Sequence, residues 1–327
     1  GQELTNSSFN TFIGYEAGYN SNQHQNNTFI GYQSGFGGNR SGANIGTCNT
    51  FIGYQSGFVN GGDSNTYIGN EAGKLSGTSV FTVSIGYQAG KVSNGGGLNT
   101  FVGAFSGLSN TTGSCNTFVG FNAGKSNTTG LQNINLGNNA GYSNTVGTCN
   151  VFIGNEAGYS NTASRNVFIG FSAGRLNTSG INNTFVGFLA GRKNIVGANN
   201  MFFGVKSGYN NLSNDNSFIG VDSGFSNTYG SKNTFIGVES GYNTTTGADN
   251  TFIGCDAGFT NTIGSCNIFI GNEAGYLATG NANVFIGKNA GYNETGNNKL
   301  YIDVSRTSTP LIYGEFDNDR VKINGAF

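Results

Sequence analysis

Four acidic residues recur at one position of successive repeats: Asp222, Glu239, Asp256 and Glu273. Three residues beyond each stands an aromatic: Phe225, Tyr242, Phe259 and Tyr276. If the repeats stack as strands do, the like charges form a column with a step of about 4.8 Å. That arrangement is costly unless water or a counter-charge relieves it. A hard cation such as Ca²⁺ is the metal that carboxylate oxygens suit. Paired carboxylates also serve glycoside hydrolysis, but no neighbouring residue marks one as acid and another as base. The aromatic column runs from Tyr209 to Tyr292, and earlier repeats place Lys74, Lys91, Lys125, Arg175 or Arg192 at the same position. A site that accepts both Lys and Tyr reads as a packed stem with a wet tip. Rings flanked by carboxylates suit a glycan, at Phe225, Tyr242, Phe259 and Tyr276. The plainer reading of both columns is side chains stacked for stability.

The remaining chemistry is sparse. The single His leaves Ser-His-Asp and multi-His zinc constellations at most one place to stand. It lies in a polar turn, His24-Gln25-Asn26-Asn27, and is expected to be exposed. Cys48, Cys115, Cys149 and Cys266 share one register, and Cys255 lies in another. Cys115 and Cys149 are two repeats apart, about 9.6 Å along a stack, beyond the reach of a disulfide. Buried free thiols are expected, with bridges between sister chains as the alternative. No catalytic residue and no cofactor is assigned, so the chain reads as non-enzymatic. A net charge of −1 gives no footprint for nucleic acid. No run approaches the length of a membrane span, so no membrane insertion is expected.

These residues sit in an overt repeat. Among 327 residues there are 57 Gly and 52 Asn but one Pro and no Trp. The unit is Asn-x-aromatic-aliphatic-Gly-x-x-Ala/Ser-Gly, first seen as Asn10 to Gly18, and it occurs 17 times from Gly14 to Gly287. The spacing is 16 or 17 residues with one 22-residue exception. Helix-pair repeats need about 33 residues or more. Gly and Asn are poor helix formers, whereas Thr-Phe-Ile is strand-like and the rest is turn chemistry. The expected fold is all-β, a β-solenoid of about 17 coils over residues 6–296, roughly 80 Å long. Residues 1–5 are a tail. The Asn column is expected to link coils through its amides, and the two Gly columns to need positive φ or close backbone approach.

Successive strand residues face opposite ways. Phe12 and Ile13, and each equivalent pair, are both apolar. One row fills the coil and the other would be an exposed stripe unless sister chains cover it. A homo-oligomer follows, with either row a candidate for the interface.

The motif resembles the head repeats of trimeric autotransporter adhesins (YadA-like). It resembles more strongly the Asn-Thr-x-x-Gly-x-x-Ala repeats of phage tail fibres and bacterial surface fibres that precede an endosialidase-type intramolecular chaperone. The resemblance covers residues 6–296. It implies a homotrimer, a secreted, cell-surface or virion location, and an adhesin or structural fibre with a glycan or host-surface ligand. The alternatives are a tail fibre that binds or degrades a cell-surface glycan and a filament subunit that self-assembles end to end. The coil is longer than the adhesin's 14 residues, and Phe replaces a small residue.

Residues 297–327 leave the repeat and read as three short strands, with Asp317-Asn318-Asp319 a turn. They resemble the linker before that chaperone, and Gly1 to Leu4 is compatible with a mature end left by signal cleavage. The insertion between Phe36 and Cys48 is expected to bulge as a loop. Ser84 and Asn135 interrupt the Phe row, with repacking by Phe81 and Val83 expected to fill the gap at Ser84.

Overall fold

The computed structural model describes residues 7–19, 24–37 and 45–325; the N-terminal tail and most of the Phe36–Cys48 insertion lie outside them. The protein is all-β, a β-solenoid of stacked coils, and the described residues contain no helix. It divides into two compact units, Gly1–Asn166 and Val167–Phe327. The first holds nine coils, from β1 (Thr11–Ile13) to β9 (Val151–Ile153). The second holds eight, from β10 (Val167–Ile169) to β17 (Val284–Ile286). Within each unit every coil contributes one three-residue strand, paired parallel and in register with the next. Thr234, Phe235 and Ile236 lie beside Thr251, Phe252 and Ile253.

The strand is short because a glycine follows it at once. The first Gly of each motif has φ between 117° and 143°. A methyl on Gly237 would lie 2.4 Å from the Gly254 carbonyl oxygen, so the backbones there are too close for any side chain. The second Gly has φ of 55–65°. A methyl on Gly241 would lie 2.5 Å from the Phe235 ring. Both glycine columns thus have the positive φ expected of them, and positive φ extends beyond glycine. The residue two after the first Gly and the residue five before it are also left-handed, as at Glu239 (φ 55°) and Cys266 (φ 61°).

The structure settles which row is the core. Phe235, Phe252 and Phe269 are fully buried, like the other core aromatics. They stack coil on coil with centroids 4.7–4.8 Å apart and planes 6° apart. The small residue before the second Gly is buried against this stack. Where it is Ser, its hydroxyl donates to the carbonyl of the next aromatic, as Ser223 does to Phe235 at 3.1 Å, which explains why Ser and Ala alternate there.

The motif Asn is also interior. Asn116 Oδ1 accepts the backbone N–H of Asn133 at 2.9 Å, and Asn133 Nδ2 donates to the Gly147 carbonyl at 2.8 Å. The amide therefore joins backbone to backbone across coils, and in places it also joins side chain to side chain as the sequence suggested, as where Asn250 Nδ2 donates to Asn233 Oδ1 at 3.1 Å. A second interior Asn column, seven residues after the first Gly, escaped the sequence reading. Asn110, Asn127 and Asn144 belong to it, and Asn127 Nδ2 donates to Asn110 Oδ1 at 2.6 Å.

Three expectations are corrected. The cysteines are exposed, not buried. Cys48, Cys115, Cys149 and Cys266 stand at the left-handed corner five before the first Gly, which turns the side chain outward. His24 is buried, not exposed. Its Nε2 accepts the Ile45 backbone N–H at 3.1 Å, and its carbonyl accepts Asn10 Nδ2 at 2.9 Å. Burial pushes its pKa down, against a smaller upward pull from Asp63. Phe81 does not refill the core beside Ser84, because it stands out in solvent.

The C-terminal element lies in the second unit. β18 (Lys299–Ile302) continues the parallel ladder from β17. β19 (Ile312–Glu315) and β20 (Arg320–Ile323) then add antiparallel strands. Tyr301 prolongs the buried aromatic column, its centroid 5.3 Å from that of Phe285.

Candidate interaction surface

With Phe turned inward, alternation sends the residues on either side of it outward. The aliphatic before the first Gly and the residue after that Gly stand side by side on one sheet face. In the first unit Ile13, Tyr15, Tyr32, Tyr54, Tyr87 and Phe121 are exposed there. In the second the face carries Phe171, Phe188, Met201, Phe203, Ile219, Val221, Ile236 and Val238. Phe203 is 55% exposed and Tyr15 66%, large values for rings outside a core. The face is ordered: Tyr15, Tyr32 and Tyr54 stack at 5.4 Å centroid spacing, and Phe171 meets Phe188 at 5.5 Å. Apolar rows repeated coil after coil are what an interface core offers and what solvated monomers avoid. The sequence reading saw the Ile row but missed the column after the Gly; its Tyr, Phe and Val residues were the available signal.

The two columns read as candidate sites occupy a different corner of the second unit. Phe225, Tyr242, Phe259 and Tyr276 are half-buried, and they stack with Tyr209 and Tyr292 at 5.0–5.3 Å with planes within 12°. Each of the four inner rings therefore has both faces against its neighbours and offers solvent its edge. The ends are covered too. Lys193 Nζ lies 5.1 Å from the Tyr209 centroid, and the Arg306 guanidinium 3.7 Å from that of Tyr292. A sugar that stacks on a ring face finds none free along the column.

Asp222, Glu239, Asp256 and Glu273 do form a neighbouring column, each at a left-handed turn. In the first unit the same column interleaves donors. Gln88 Nε2 donates to Glu71 Oε2 at 2.7 Å, and Lys91 Nζ pairs with the same oxygen at 2.8 Å. The hydrogen bonds from Lys74 and Lys91 pull Glu71 down to about 2. In the second unit four carboxylates follow one another without such donors between them. Glu239 is pushed up, first by burial and then by Asp256 and Asp222. Asp222 Oδ1 is buried with no hydrogen-bond partner. Among the described residues only Glu273 of the four has a cation, Arg306, which thereby caps the carboxylate column and the ring column together. Among the described residues no group of three or more His, Cys, Asp or Glu is disposed to hold a metal ion. A cleft of ≈290 Å³ beside Arg306 is lined by Tyr292, Glu294 and Tyr301. The Glu294 carboxylate is already engaged there, by Tyr301 Oη at 2.6 Å and the Gly296 N–H at 2.7 Å. Cys255 projects on the sheet face instead, its thiol pushed up by burial and by Asp256.

No helix among the described residues is long and apolar enough to cross a membrane. Comparison with protein-family models finds no match for this chain, and comparison with curated proteins finds none.

Proposed function

We propose that the chain is a non-enzymatic segment of an extracellular fibre or adhesin, and that it works as a homo-oligomer whose copies meet through the outward sheet face. The observation that carries this reading is the run of exposed Ile, Val, Tyr and Phe side chains on the sheet face of both units, beside a core that has its own buried aromatic column. Burial of apolar surface yields roughly 25 cal/mol per Å², so a repeated face of Ile, Val, Tyr and Phe gains more from association with each added coil. Ladder pairing of the backbone in every coil suits a part that holds its shape and spans distance. Its adhesive role, secretion and trimeric state rest on the motif's resemblance to fibre repeats.

The test separates the two rows. Ile153→Asp with Ile169→Asp should leave the solenoid folded and abolish assembly. Phe152→Asp with Phe168→Asp should destroy the fold. Circular dichroism reads the fold and sedimentation reads the mass. An Ile pair variant that assembles like the parent would remove this face from the interface.

A further inference from the structure

Asparagine is a thermolabile residue. Its side-chain amide is most open to loss where glycine follows, because a residue without a Cβ lets its backbone nitrogen approach the side chain. Three of the 52 asparagines precede glycine: Asn60, Asn94 and Asn324. Asn60 and Asn94 share the sequence Asn-Gly-Gly, so their intrinsic chemistry is alike, and both lie in the first unit. The coils around them treat them differently.

Asn60 belongs to the second interior Asn column and is buried. Its Nδ2 donates to the Gly62 carbonyl at 2.9 Å, and its Oδ1 accepts the Ser76 hydroxyl at 3.0 Å. The Gly61 N–H donates to the Gly77 carbonyl of the next coil. Asn94 stands one place later in its own coil, that of β5 (Val83–Ile85), and both it and Gly95 are exposed. In the coils that follow, the N–H at the register of Gly95 is held: Thr112 donates to the Thr128 carbonyl at 3.1 Å, and Thr129 to the Thr145 carbonyl at 3.2 Å. Gly95, at φ 97°, donates to no carbonyl of the next coil. Its turn is also held less firmly. In the coil of β6 (Thr100–Val102) the column residue Asn110 closes the turn through Nδ2 to the Gly113 carbonyl at 2.9 Å. Ser93 takes that place before Asn94, and its hydroxyl reaches the Gly96 carbonyl only at 3.5 Å, the limit of a hydrogen bond. Asn324 is exposed, but its Nδ2 donates to the Pro310 carbonyl at 2.6 Å.

We propose that Asn94 is a site of deamidation and isomerisation, left open by the fold while the same sequence at Asn60 is closed. The Gly95 nitrogen attacks Asn94 Cγ and gives its proton to solvent. The Cγ–Nδ2 bond breaks, and the amide leaves as ammonia. Water then opens the succinimide: attack at Cγ gives aspartate, and attack at the main-chain carbonyl carbon gives isoaspartate. The balance is water consumed and ammonia released, with no change of oxidation state. Either product adds a negative charge, and isoaspartate also lengthens the main chain by a methylene at a corner where coils stack. At Asn60 the same attack requires the Gly61 N–H to leave the Gly77 carbonyl and the side chain to leave its column.

The test compares the two sites within one molecule. The whole chain is held at mildly alkaline pH, folded or in urea, then digested and mapped by mass spectrometry with fragmentation that tells isoaspartate from aspartate. In the folded chain Asn94 converts, with isoaspartate among its products, while Asn60 stays intact; in urea both convert alike. Gly95→Ala puts a side chain on the attacking residue and abolishes conversion at Asn94 over the same period. Asn60 converting as fast as Asn94 in the folded chain would overturn the proposal. So would an Asn94 that stays intact there while the urea sample reacts, or conversion undiminished by Gly95→Ala.

Discussion

Gly158→Ala asks why the second glycine of every motif is glycine. Its φ is 59°, but Glu156 in the same coil sits at 55° and carries a full side chain. The columns of Glu156 and of the residue five before the first Gly accept Phe105, Leu189, Lys206 and Arg165 at comparable angles. Left-handed backbone therefore does not by itself demand glycine in this fold. The ring does: a methyl at 158 would lie 2.8 Å from Cδ1, Cδ2 and Cε1 of Phe152, deep inside contact distance. The left-handed conformation contributes about 1–2 kcal/mol and overpacking against a buried ring about 1–3 kcal/mol. Gly158→Ala should cost about 2–5 kcal/mol per chain in a urea or thermal unfolding series. The ring part must vanish when the ring does. In a Phe152→Ala background the same substitution should cost only the conformational part, a coupling of at least about 1 kcal/mol. Gly158→Ala with parental stability, or an equal penalty in both backgrounds, would refute the contact argument.

The carboxylate column should respond to pH in a definite direction. Glu239 is pushed up in the folded chain, first by burial, so its contribution is complete below the unfolded glutamate pKa and is lost as pH rises through the folded value; Glu239→Gln should flatten the fall of stability just above the unfolded glutamate pKa, and an unchanged profile there would count against it. His24 runs the other way: with its folded pKa lowered, its contribution is complete above the unfolded His pKa and declines as pH falls below it, so His24→Gln should reduce the acid sensitivity of amide exchange at Ile45. Arg306→Ala removes the cap shared by Glu273 and Tyr292. It should speed amide exchange across β18 and β19 while leaving coils of the first unit unchanged.

Much of this fold is legible because the sequence repeats its contacts. The period, the Thr-Phe-Ile strands and the need for both glycines follow from residue chemistry at fixed spacing. Alternation alone cannot choose between Phe and Ile as the core row, since both are apolar; ring stacking on the second glycine chooses Phe. The exposed cysteines had a readable signal, since their column also holds Arg165, Lys232 and Asp249. His24 had none, because its burial comes from neighbouring coils, through Asn10 and Ile45, rather than from its own polar turn. The ring and carboxylate columns were located correctly in the chain, but stacking hides the ring faces that made a glycan site attractive.

The central claim is that the outward sheet face is covered by sister chains. The mass of the purified chain in solution, measured by native mass spectrometry at micromolar concentration, tests it most directly. Assembly through that face predicts a discrete species at a whole multiple of 34.0 kDa, three chains for the trimer that the motif implies, which dissociates on Ile153→Asp with Ile169→Asp. A stable, fully folded single chain of 34.0 kDa would contradict it.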